Sequence, residues 1–141
     1  MSQALTRATE IIDGWLRQHP DCYPPIVVNI TDGESTDGDA SGPATNLRRL
    51  RSSDGEVLLL NAHVSSTRAS AIEYPDSDAA LPDQFSKRLF EMSSVLTPSM
   101  RTAAQQDGYT TSETTRGFVF NVGIVAIIKF LNIGTRPSNL R

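Results

Sequence analysis

Four carboxylates crowd the stretch that follows the chain's first strand-like run. Asp32, Glu34, Asp37 and Asp39 fall within "TDGESTDGDASG". Carboxylates gathered in a Gly-, Ser- and Thr-rich loop can do two things: they can give oxygens to a hard divalent cation, or accept N–H bonds in turns and at helix starts. A magnesium ion needs near-octahedral oxygen ligands, so Asp32 alone makes no strong site. Glu34, Asp37 and Asp39 add oxygens only if the loop folds back, and their spacing matches no calcium loop. The reading preferred on these grounds is a helix-capping, turn-forming loop. The metal reading is a weak Mg2+ or Mn2+ site at Asp32, joined by Glu34 and Asp37.

Other residues with chemical capability are scattered. His63 sits in the apolar "LNAHV" run with no second His or Cys at ligand spacing, which makes it a packed strand-end side chain. His19 stands before a helix-ending proline. Cys22 has no neighbour in sequence that would lower its pKa. Ser65, Ser66 and Thr67 follow the second strand-like run and suit a turn on the same edge as Asp32. Arg48, Arg49 and Arg51 read as the wet side of a short helix. Neither a Gly-x-Ser-x-Gly elbow nor a phosphate-binding loop is present.

The elements that must position these residues alternate in type. Leu5, Ala8, Ile11, Ile12, Trp15 and Leu16 recur at helical spacing and predict a helix over 3–19, stopped at Pro20. Residues 26–31 and 57–64 are apolar runs that predict buried parallel strands. Pro43 predicts a short helix through Leu50, and "SSDGE" a turn. Residues 65–81 read as irregular. Pro82 opens a helix burying Phe85, Leu89, Phe90 and Met92; Thr97-Pro98 caps another that stops at Gly108. "GFVFN" predicts a third strand and 122–131 a final helix ending near Gly134. Strands alternating with helices predict an α/β fold with a mostly parallel sheet of about three strands, in one domain spanning 1–141. Asp32 then lies beyond the carboxyl end of a strand, where ligands of such sheets sit.

Composition narrows the function. The chain has 141 residues, a net charge of −3, 38% apolar and 21% charged residues, and one cysteine. There is no basic patch and no interleaving of aromatic with basic residues, so nucleic acid is not an expected partner. An intramolecular disulfide is impossible. The N-terminus has no signal-peptide pattern, and "FVFNVGIVAIIKFLNI" is shorter than a bilayer span of roughly 20 residues. A cytoplasmic location without membrane attachment is the expectation.

"PPIVVNITDGESTDGD", "VLLLNAHVSS", "LFEMSSVL" and "GFVFNVGIVAIIKFLNIGTR" together resemble the second half of a von Willebrand factor type A domain, most closely its stand-alone bacterial members. The resemblance runs over nearly the whole chain and implies a partial doubly wound, Rossmann-like sheet with flanking helices. It also implies a protein-binding role, which many members perform through a metal-ion-dependent adhesion site. Asp32 in "ITDG" matches the aspartate loop of that site. The family's Asp-x-Ser-x-Ser loop and threonine loop have no counterpart here; both would precede Met1.

An incomplete adhesion site and an incomplete sheet are the expected consequences. Without the family's first strand beside it, Ile26–Thr31 becomes an edge, predicting a homo-oligomer or completion by another chain. The function expected is therefore a non-enzymatic interaction module, with 32–42 and 65–67 as a contact region. Two alternatives stand beside it. One is a phosphoryl-transfer or hydrolytic enzyme using Asp32 as nucleophile or metal ligand; the only lysines, Lys87 and Lys129, lie on predicted helices away from the strand ends. The other is a gene fragment without independent function.

Overall fold

The computed structural model describes residues 1–64 and 68–135. Its elements run α1 (Ser2–Gln18), β1 (Ile26–Thr31), α2 (Ser41–Arg49), β2 (Arg51–Ser52), β3 (Gly55–Glu56), β4 (Leu58–His63), β5 (Ile72–Glu73), α3 (Gln84–Met92), α4 (Pro98–Gln106), β6 (Phe118–Phe120) and α5 (Ile124–Thr135).

β4 is the spine. All of its residues are buried, as expected of a strand covered on both faces. Its side chains alternate between two cores. Leu59 joins Leu5 and Leu16 of α1, Ala44 and Leu47 of α2, and Leu89 and Phe90 of α3. Leu58, Leu60 and Ala62 join Met100 and Ala104 of α4 with Ile127, Phe130 and Ile133 of α5. Helices thus cover both faces of the sheet, and each side chain fully buried there contributes about 1.5–3 kcal/mol by leaving water.

The strand order is β1-β4-β6-β5. β1 runs parallel to β4, Ile26 opposite Leu58 through Thr31 opposite His63. β6 runs parallel on the other side, and β5 pairs antiparallel with β6. The sheet therefore has four strands, not about three, and a strand lies inside the stretch read as irregular. β5 has two residues, too few to show an alternating pattern. The "SSDGE" turn is the tip of a small hairpin of β2 and β3.

β1 occupies an edge, and for that reason most of its residues are only half-buried. The start of α4 follows the expected chemistry, whereas α3 starts at Gln84, beyond Pro82, and leaves Phe85 only half-buried. Thr97 Oγ1 accepts from Met100 N at 3.3 Å, with Pro98 opening α4. Asp83 forms a reciprocal capping box with Ser86 at the start of α3. Among the described residues no helix is long and apolar enough to cross a membrane.

Candidate functional site

The acidic loop leaves the carboxyl end of β1 and enters α2. Thr31 Oγ1 donates to Gly33 O at 2.8 Å, tightening the exit. Beyond it the four carboxylates separate. Asp37 is bound to the start of α1: its oxygens accept from the Met1 amine at 2.7 Å, Ser2 N at 3.0 Å and Gln3 N at 2.8 Å, and from Ser35 Oγ at 2.6 Å. The first three are donors at a helix N-terminus, met by a carboxylate 34–36 positions away. The Met1 ammonium first, then Ser35 and the amides, hold the Asp37 carboxyl far below the usual carboxylate range. Asp39 does the same locally, accepting from Ser41 N at 3.0 Å, and that bond lowers its pKa.

Asp32 and Glu34 remain exposed. The alternative cation set of Asp32, Glu34 and Asp37 is not drawn together, since Asp37 is committed to four donors, two of them the backbone amides that start α1, as in the preferred capping reading. Among the described residues no three His, Cys, Asp or Glu side chains converge as metal ligands. Ser65, Ser66 and Thr67 lie outside the described residues.

A cleft of about 260 Å³ opens between this loop and α3. Glu34 and Asp39 line one side and Arg88 another, over an apolar floor that includes Met1, Phe85 and Met92. The Arg88 charge also lowers the Asp39 pKa, as a minor contribution after the Ser41 bonds. Such a cleft can hold a small, mixed polar and apolar group.

His63 closes the carboxyl end of β4. It is buried at 6% exposure, with its ring edge-on to Phe85 at 5.0 Å and Phe120 at 5.1 Å. The strand-end packing read from its apolar neighbours is what the structure shows. Its Nδ1 is buried without a hydrogen-bond partner. Burial pushes its pKa below the ordinary histidine value, against the opposing charges of Asp83 and Asp32. Beside it, the polar pair Asn29 and Asn61 bridges β1 and β4: Asn29 Nδ2 donates to Asn61 Oδ1 at 2.8 Å. Asn61 Nδ2 in turn donates to Ser93 Oγ at 2.9 Å.

The reading of Arg48 is corrected. It is half-buried, and its Nη1 donates to Ser93 O at 3.3 Å, so it is not on the wet side of α2. Arg49 is exposed on α2 as expected; Arg51 is exposed too, but it lies in β2 and not on the helix. Sequence gave no signal for Arg48, because its neighbour Arg116 is remote along the chain. No protein-family model, no curated protein and no solved structure matches this chain.

Proposed function

We propose that this chain is a non-enzymatic protein–protein interaction module, a partial doubly wound sheet like the back half of a von Willebrand factor type A domain. Its partner adds a strand along Ile26–Thr31. The observation that carries this is the edge itself. β1 is six residues long, pairs only with β4 among the described residues, and contains no Lys, Pro or charge of the kind that blunts natural edges. Ile30 is 51% exposed on it. On the sheet face that Ile26 and Val28 share, α5 presents Ile124, Val125, Ile128 and Leu131 to solvent. An apolar helix side exposed in this way is a surface that a partner can cover.

The partner is a second copy or another chain, and main-chain bonds supply the attachment. Pro25 O and Thr31 O accept from Leu58 N and Val64 N, so by alternation the Val28 N–H points away from β4. Val28→Pro therefore removes an outward donor and leaves the inner ladder intact. Sedimentation at micromolar concentration should show a self-associated species, weakened at least tenfold by Val28→Pro or by Ile30→Lys. A clean monomer whose amides along Ile26–Thr31 are nevertheless protected from exchange would refute the reading.

A further inference from the structure

At the end of the sheet opposite the acidic loop, Arg48, Arg49 and Arg116 line a cleft of about 480 Å³ with Ser94, near the starts of β4 and β6. The two inner guanidiniums are arranged unlike surface ion pairs. Arg48 Nη1 and Arg116 Nη1 both donate to one carbonyl, Ser93 O, at 3.3 and 2.6 Å. None of the ion pairs among the described residues involves either arginine. The Arg48 Nε is buried and has no partner. Arg116 is further fixed by Glu91 O at 3.3 Å and by stacking over Phe90 at 5.2 Å.

Two like charges held on one neutral oxygen in a partly dewatered cleft repel each other. Burial first, then the Arg116 charge, lowers the Arg48 pKa, and Glu56 opposes this only in part. Glu56 is the one carboxylate on the cleft wall and is exposed. What the cleft lacks is a negative group between the arginines. The Arg48 and Arg116 guanidiniums that line the cleft are planar forks, each of a shape that matches two oxygens of one anion. Ser94 Oγ accepts from Leu59 N at 2.9 Å, which leaves its own proton for a further oxygen.

We propose that this cleft binds an oxyanion, a phosphate or carboxylate group held between Arg48 and Arg116. The inference is independent of strand addition at β1. The test uses the full chain, isotopically labelled, titrated with inorganic phosphate and separately with acetate at constant ionic strength. The arginine Nε–Hε signals report binding. Saturable shifts of Arg48 and Arg116 are expected at roughly millimolar anion, with Arg48→Gln or Arg116→Gln weakening binding at least about tenfold. Arg51→Gln, an exposed charge off the cleft, should change affinity less than about twofold. Tighter binding of phosphate assigns phosphate, and tighter or equal binding of acetate assigns carboxylate. Arg116→Lys keeps the charge without the fork, so it separates loss of the site from loss of the fold; it should also weaken binding about tenfold. Absence of saturable shifts with either anion, an equal loss in Arg51→Gln, or undiminished binding by Arg116→Lys would overturn the proposal.

Discussion

Gly117 is where the packing makes its sharpest quantitative demand. It precedes β6, donates its N–H to Ser94 O at 2.9 Å, and accepts from Asn61 N at 2.9 Å. A Cβ built there would stand 2.2 Å from Leu60 Cδ2 and 3.3 Å from its Cγ. Carbon atoms in contact prefer about 3.5–4.0 Å, so one side must move by more than an ångström. Leu60 is 1% exposed and packs in the core with Phe130 and Ile133, which leaves its methyl no space to enter. Overpacking of this kind costs about 1–3 kcal/mol. Against it stands a gain of about 0.4–1 kcal/mol from restricting the unfolded chain. Gly117→Ala should therefore lose about 1–1.5 kcal/mol, lowering the melting temperature by about 3–5 °C for a domain of this size. Urea unfolding followed by circular dichroism measures it, with an unchanged slope required for the comparison. The cause is tested by Leu60→Ala, which alone should cost about 2–5 kcal/mol through its cavity. In that background the clash is gone, and Gly117→Ala should be neutral or stabilising. A Gly117→Ala chain within 0.5 kcal/mol of the parent (roughly the additivity error), or an equal cost in both backgrounds, would refute the reasoning.

Two further outcomes follow from the buried polar groups. Asn29→Val leaves Asn61 Oδ1, on a residue with 0% exposure, without its donor, and should cost about 1–3 kcal/mol. Adding Asn61→Val removes the orphan, so a double-mutant cycle by urea unfolding should show coupling of about 1 kcal/mol; strict additivity would sink this account. His63 has a depressed folded-state pKa because its neutral form is the buried one. Between that value and the unfolded value of about 6.5 the unfolded chain binds more protons, so stability rises with pH there. The contribution is complete above about pH 6.5 and is lost as pH falls through the lowered folded value. Denaturation midpoints compared at pH 7.5 and 5 should fall less in His63→Gln than in the parent, and parallel pH dependences would remove His63 as the cause.

Long periodic elements with caps were readable directly from the chain. Leu5 and Leu16 mark α1 as amphipathic, though Ile11 and Trp15 of the same stripe are 59% and 51% exposed. The apolar run of β4 announces a central strand, and Thr97-Pro98 announces α4 to the residue. The position of β1 at an edge followed from the family resemblance rather than from periodicity. By its residues alone that strand reads as fully covered, because apolar composition reports the capacity for burial and not the presence of a neighbour. β5 was invisible because Ile72 and Glu73 owe their strand geometry to pairing with Val119 and Phe120, not to local preference. The site residues divide in the same way. Asp39 caps its own helix two positions on, which local chemistry suggests; Asp37 reaches α1, and Arg48 meets Arg116, through the fold alone.

The two edges of the sheet are treated differently, and this bears on where the molecule does its work. At one edge β5 is two residues long and turns antiparallel to its neighbour, leaving too short a row of backbone groups to template another strand. Shortness of that kind is a common device against unwanted pairing. At the other edge β1 is six residues long and carries none of the usual devices. The acidic loop that seemed the natural site has meanwhile committed Asp37 and Asp39 to helix starts. Carboxylates bound to orphan amides are poor ligands for anything else, since releasing them would leave those donors unmet. Asp37 and Asp39 are thus held by helix starts, whereas among the described residues the outer side of β1 has no strand partner and Ile124, Val125, Ile128 and Leu131 of α5 face solvent. The strand addition proposed above rests on this asymmetry between a blunted edge and an open one.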